Sequence, residues 1–243
     1  YSFPIKSVSA LYILSAVLNL ISLIFCKYTK RLFPTLSTMN LEEEKIETFW
    51  QWFVQNDARI KKCIEDSNAP DREYIIENLN NHILNIATVT WDIGMDANDE
   101  WFFMVSPNVV EELLPICERI MKEAPLFLDW KYFASRPALD WDRTFNLYDQ
   151  EMEVIDIDAS NWNYILFYND DEQLEIILEA SNLEGLDEET MNSAATVFLN
   201  NEIGEKGIIE LVKEYSIVTQ LEEEDIQDKF SVSDLKEHLL SDE

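Results

Sequence analysis

The hydrophobic period changes along this chain, and that change constrains the fold more than any other feature. Over residues 41–65 the apolar side chains Ile46, Phe49, Trp50, Phe53, Ile60 and Ile64 recur at the spacing of one helix face. The inward stripe of that helix is largely aromatic. A second helix is expected to start near Pro70 and Asp71, a proline and an early acid in the first turn, and to run through Tyr74, Ile75 and Leu79. The period then shortens to two. Residues 86–95 and 101–105 are rich in β-branched and aromatic side chains, and Asp96-Ala97-Asn98-Asp99 between them reads as a hairpin turn. Val110, Leu113, Leu114, Cys117 and Met121 restore helical spacing, with Pro115 either kinking that helix or marking its first turn, and Ala124-Pro125 closing it.

Further strands are expected over residues 128–135, 153–157 and 162–168. In the next one, Leu174, Ile176 and Leu178 alternate with Glu175 and Glu179, the pattern of a half-buried strand. The short polar turn Asn169-Asp170-Asp171-Glu172 implies antiparallel pairing with the strand before it. Asp187 stands as the N-cap of a helix that passes Met191, Ala194, Ala195, Phe198 and Leu199 and reaches Ile203-Gly204, where glycine is expected to supply a C-cap. A strand near residues 215–219 and a helix over residues 233–240 complete the chain. Hairpin-linked strands with helices before, between and after them predict an α+β fold, with a mostly antiparallel sheet and flanking helices. No repeat or Gly/Ser linker interrupts residues 39–243, so one continuous acidic domain is expected there.

Charge divides the chain. Residues 1–38 carry Lys6, Lys27, Lys30 and Arg31 and no acid; the remaining 14 bases and 48 acids give residues 39–243 a net charge of −34. Such a charge repels nucleic-acid phosphates and anionic lipid at long range and favours a basic protein partner or a cation; a plain solubilising surface is the competing explanation. Cys26, Cys63 and Cys117 are odd in number and widely spaced, which fits neither a disulfide framework nor a metal-binding pair and suggests a reducing, cytoplasmic compartment.

The first 38 residues are of another kind. From Val8 to Cys26 runs an uncharged stretch of 19 residues, long enough to cross a bilayer as a helix. If it is an anchor, the bases after it outweigh Lys6 and place the acidic domain on the cytoplasmic side. The other reading is a translated upstream segment, with the acidic domain starting at Met39.

Catalytic signatures are sparse. His82 and His238 are the only imidazoles, and no G-x-S-x-G, zinc spacing or phosphate-binding glycine loop is present. A Cys63–His82 pair needs only to meet in space, yet Cys63 lies where a helix's apolar face would bury it. The acid groups at residues 96–100 and 169–172 lack the order of an EF-hand loop and suit polar turns. Among 48 acids, a catalytic carboxylate pair has no distinguishing spacing. Trp52 stands off the inward stripe of its helix, as a core residue or an exposed anchor.

Three groups of residues carry a resemblance: F-W-Q-W-F at 49–53, A-P-L-F-L-D-W-K-Y-F-A at 124–134 with R-P-A-L-D at 136–140, and F-L-N-N-E-I-G-E at 198–205. In this order they resemble an uncharacterised bacterial domain-of-unknown-function family, the DUF695-like proteins, over about residues 39–243. The resemblance implies no catalytic residue and no cofactor. Trp130, Arg136, Asp140 and Glu205 are the candidate binding residues, polar or aromatic groups at element ends, with Glu205 expected near the surface. The expected function is a noncatalytic binding module of immunity or adaptor type that captures a basic protein; a carboxylate-based or metal-dependent hydrolase is the alternative.

Overall fold

In the computed structural model, which describes residues 36–168, 174–222, 225 and 228–240, the change of period is realised as helices alternating with three short sheets, an α+β arrangement. Where the sequence reads as one continuous domain, contacts divide the chain into two units. The first comprises residues up to Asn108 with Glu112–Ala134; the second comprises Val109–Glu111 with residues from Ser135 onward. Each has its own aromatic-rich core, which is the physical reason for the division. The apolar run Val8 to Cys26 and the turn 169–172 lie outside the described residues. No described helix is long and apolar enough to cross a membrane.

The first unit begins with helix α1 (Leu36–Glu65), whose stripe of Ile46, Phe49, Trp50, Phe53 and Ile60 is buried. Its aromatic rings pack tilted or edge to face: Phe53 lies 5.3 Å from Phe103, tilted, and 5.2 Å from Trp130, edge to face, and Trp50 lies edge to face 5.2 Å from Tyr132. The Trp50 indole also donates to the Ile120 carbonyl at 2.8 Å. Helix α2 (Arg72–Ile86) buries Ile75, Leu79 and Ile83 at successive four-residue steps and leaves Tyr74 exposed. Because Ile83 extends that stripe, the helix continues to Ile86, and strand β1 (Thr90–Met95) starts later than the sequence suggested.

Strand β2 (Trp101–Ser106) pairs antiparallel with β1, Met95 opposite Trp101. Asp96 shapes the intervening turn by accepting from the backbone N–H groups of Asn98 and Glu100 at 2.8 and 3.0 Å. Pro115 occupies the first turn of helix α3 (Leu114–Lys122), where its missing N–H costs nothing. That helix returns the chain so that β3 (Trp130–Phe133) pairs parallel with β2.

In the second unit, β4 (Thr144–Tyr148) and β5 (Val154–Asp158) form a two-stranded hairpin. Strands β6 (Asn163–Tyr168) and β7 (Leu174–Glu179) pair antiparallel as expected, and Leu174, Ile176 and Leu178 are buried. Helix α4 (Glu188–Leu211) then crosses over to β8 (Val212–Val218), which lies parallel to β7. The two-residue strand β9 (Phe230–Ser231) joins the far side of β6, and α5 (Leu235–Leu240) follows. Asp187 caps α4 through the N–H of Thr190 at 3.0 Å. Gly204 does not end that helix. It breaks it at φ 75°, ψ 160°, and helical structure resumes as far as Leu211.

Candidate functional site

The four candidate residues do not converge on one site. Trp130 belongs to the first unit; Arg136, Asp140 and Glu205 belong to the second. Trp130 is a buried core residue whose indole donates to Asp57 at 2.6 Å. The Lys61 ammonium sits 5.4 Å above its ring and bonds to both Asp57 and Asp129. Burial opposes the Lys61 charge, but the bonds to Asp129 and Asp57 outweigh it and hold its pKa above the ordinary lysine value. This arrangement fastens α1 to the start of β3.

Glu205 is the clearest correction to the sequence reading. Expected at the surface, it is 0% exposed, and its carboxylate accepts the backbone N–H of Val109 at 2.8 Å and that of Arg136 at 3.1 Å. The cause is a strap formed by residues 136–143, which crosses α4 at Gly204. The Glu205 N–H returns to the Arg136 carbonyl at 2.9 Å, and Leu139 donates to the Asn201 carbonyl at 2.7 Å. A Cβ on Gly204 would lie 2.8 Å from the Ala138 nitrogen, so only glycine admits the strap.

One helical turn earlier, Glu202 grips the far end of the strap. It receives Arg143 through Nη2 at 2.7 Å and Nε at 3.1 Å, and the Trp141 indole at 3.0 Å. The two nitrogens of one guanidinium on one carboxylate make the pairing directional as well as ionic. Sequence reasoning missed Glu202. Its signal was an acid directly before Ile203 and one turn after the apolar pair Phe198-Leu199, on the side of the helix that faces the core.

The segments that carried the resemblance thus meet in pairs, 49–53 with 124–134 in the first unit and 136–140 with 198–205 in the second. Their principal content is fold maintenance. Asp140 alone of the four candidates is exposed.

Cys63 and His82 stand in separate environments. Cys63 is buried, and desolvation pushes its thiol pKa up, away from the reactive thiolate. His82 packs on the rings of Phe49 and Trp52, and burial lowers its pKa. Trp52 is half-buried against it rather than displayed. Along α1, Trp52 lies about 16 Å and Phe49 about 21 Å from Cys63, counted at 1.5 Å per residue. His238 bonds to the buried Tyr164 hydroxyl, and burial, followed by the nearby Asp234 charge, raises that phenol to about 12. Asp96 spends its oxygens on its own turn and on Lys131 at 2.9 Å, which explains the acidic loop at residues 96–100 as a turn. Among the described residues, no group of three or more His, Cys, Asp or Glu side chains is arranged to hold a metal ion.

What the second unit does display is charge. Residues 137–205 contain eighteen acids and one base, Arg143, and that base is engaged by Glu202. The outward faces of β4 and β5 lie within this stretch. Phe145, Leu147, Ile155 and Ile157 point toward the core, while Thr144, Asn146, Tyr148, Val154, Asp156 and Asp158 are exposed. Tyr148 and Val154 face each other across the hairpin, 65% and 58% exposed, and Met152 in the turn is 58% exposed. Asp149 builds that turn, accepting the N–H groups of Glu151 and Glu153 at 2.9 and 2.8 Å. Hydrogen bonds from Thr144 and Ser160 hold Asp142 and Asp158 below the ordinary carboxylate pKa, so both remain charged at neutral pH. Comparison with family models, with curated proteins and with solved structures finds no match.

Proposed function

We propose that this chain is a noncatalytic binding module whose second unit captures a basic protein. The observation that carries the reading is the ratio of eighteen acids to one internally paired base over residues 137–205, a negative field that Lys229, paired with Glu179, offsets at a single carboxylate. A field of one sign steers an oppositely charged partner and raises its association rate. The buried carboxylates favour the same reading, because the hydrogen bonds of Glu202 and Glu205 go to the strap and to Val109. The family resemblance belongs to this proposal too, as kinship with proteins to which no chemistry is assigned.

The test uses purified chain immobilised on a sensor and two soluble carrier proteins of similar size, one basic and one acidic, at low and high salt. Retention of the basic protein alone, weakening steeply as salt rises, is the expected result. Equal retention of both, or of neither, refutes the reading.

A further inference from the structure

We infer that the outward face of the β4–β5 hairpin is the docking surface for the basic partner, and that the partner presents an amphipathic segment in which lysine or arginine alternates with apolar side chains. This inference rests on the binding-module reading and adds its location. The hairpin combines two features. Tyr148, Met152 and Val154 form an exposed apolar tip on a sheet face that is otherwise polar. Glu151, Glu153 and Asp156 are exposed beside them, with the stretch's single base turned inward to Glu202. An apolar centre with a charged rim is the anatomy of a protein interface, and a rim of one sign selects the opposite charge in its partner.

Charge also discriminates between this surface and its main rival. Leu126 and Phe127, in the first unit, are more exposed at 92% and 77%, but their charged neighbours are balanced: Lys122 stands beside Glu123, and Asp129 is paired with Lys61. Apolar exposure without a field of one sign does not select a basic partner. The hairpin tip has both.

The probe is a short fluorescein-labelled peptide of alternating lysine and leucine, titrated with the full chain and followed by anisotropy; a lysine–serine peptide of equal charge serves as comparison. Two hairpin variants separate the contributions: Tyr148→Thr with Val154→Thr removes the apolar tip, and Glu151→Gln, Glu153→Gln with Asp156→Asn removes the rim charge. All five positions are solvent-facing, so circular dichroism should match the parent. Each variant is expected to weaken the lysine–leucine peptide about tenfold. The tip variant leaves the lysine–serine peptide unchanged, and Phe127→Ser leaves both unchanged. Parent-like affinity in both hairpin variants overturns the docking surface while basic capture stands. No binding of either peptide to the parent chain at low salt overturns both.

Discussion

Replacing Gly204 with alanine should be among the most damaging single-methyl additions in the second unit. At φ 75° and ψ 160° the backbone is in a region used almost solely by glycine, and an L-residue held there costs about 1–3 kcal/mol. The added Cβ would also stand 2.8 Å from the Ala138 nitrogen, 3.2 Å from the Arg136 oxygen and 3.3 Å from the Pro137 carbonyl carbon. These are backbone atoms, so relief requires moving the strap. Moving it disturbs the bonds between Arg136 and Glu205 and between Leu139 and Asn201, at about 1 kcal/mol each. Together the terms predict a loss of about 3–5 kcal/mol, a large share of the roughly 5–15 kcal/mol that holds a typical domain folded.

Two other glycines provide the scale in the same urea titrations, read by tryptophan fluorescence and far-ultraviolet circular dichroism. Gly185, at φ 94° with open space where a Cβ would go, isolates the backbone contribution, and Gly185→Ala should cost about 1–2 kcal/mol. Gly207 is helical, and its Cβ would meet Ile203 at an ordinary 3.4 Å, so Gly207→Ala should stabilise by up to about 1 kcal/mol. The expected order of stability is Gly207→Ala, parent, Gly185→Ala, Gly204→Ala. A Gly204→Ala protein no less stable than Gly185→Ala would refute the claim that the strap's close approach is what requires glycine.

Glu205→Ala removes the acceptor for two backbone N–H groups and should destabilise by about 3 kcal/mol in the same titration, whereas an exposed Glu151→Ala should change little. Glu202→Ala should cost about 3–5 kcal/mol because it leaves the partly buried Arg143 without its carboxylate; the double variant Glu202→Leu with Arg143→Met should cost less than the two single changes combined. Tyr164 carries a folded-state pKa of about 12 against an ordinary 10, so its contribution is complete below pH 10 and is lost as pH climbs toward 12. Tyr164→Phe should flatten that alkaline loss in pH-dependent unfolding curves. At the acid end Asp187, depressed by its bonds to Thr190, stabilises above the ordinary carboxylate pKa of 3.8 and loses that effect as pH falls through its lower folded value. The stability gap between parent and Asp187→Ala should therefore narrow in acid.

Much of the secondary structure was legible in the sequence because it is local. The α1 stripe, the β1–β2 turn, the alternation in β7 and the Asp187 cap are each written within a few residues, where side-chain period and turn chemistry act directly. Partnership over distance was not legible. The parallel pairings of β3 and β8 depend on where a crossover helix returns the chain, and β9 is too short to carry a pattern. Glutamate reads as surface in any local window; Glu205 is buried because N–H groups 96 and 69 residues away need an acceptor. The same strap explains Gly204, which a local reading assigns to the end of a helix. Of the four candidate residues, three proved to be placed by the fold's own bonding. Strand β5 was expected over residues 153–157, but its partner β4 was not, because only Phe145 and Leu147 turn inward over its five residues, too short an alternation to read.

The pairing of Arg143 with Glu202 also means that the second unit holds no mobile positive charge along its most acidic stretch. Beyond the Lys229–Glu179 bridge, its surface therefore stores repulsion that cations from outside can relieve, over a screening length of about 8 Å at physiological ionic strength. Salt, polyamines or a lysine-rich chain should each raise its unfolding temperature. For such a protein, capturing a partner and becoming more stable are the same event, and a melting curve can report who has arrived.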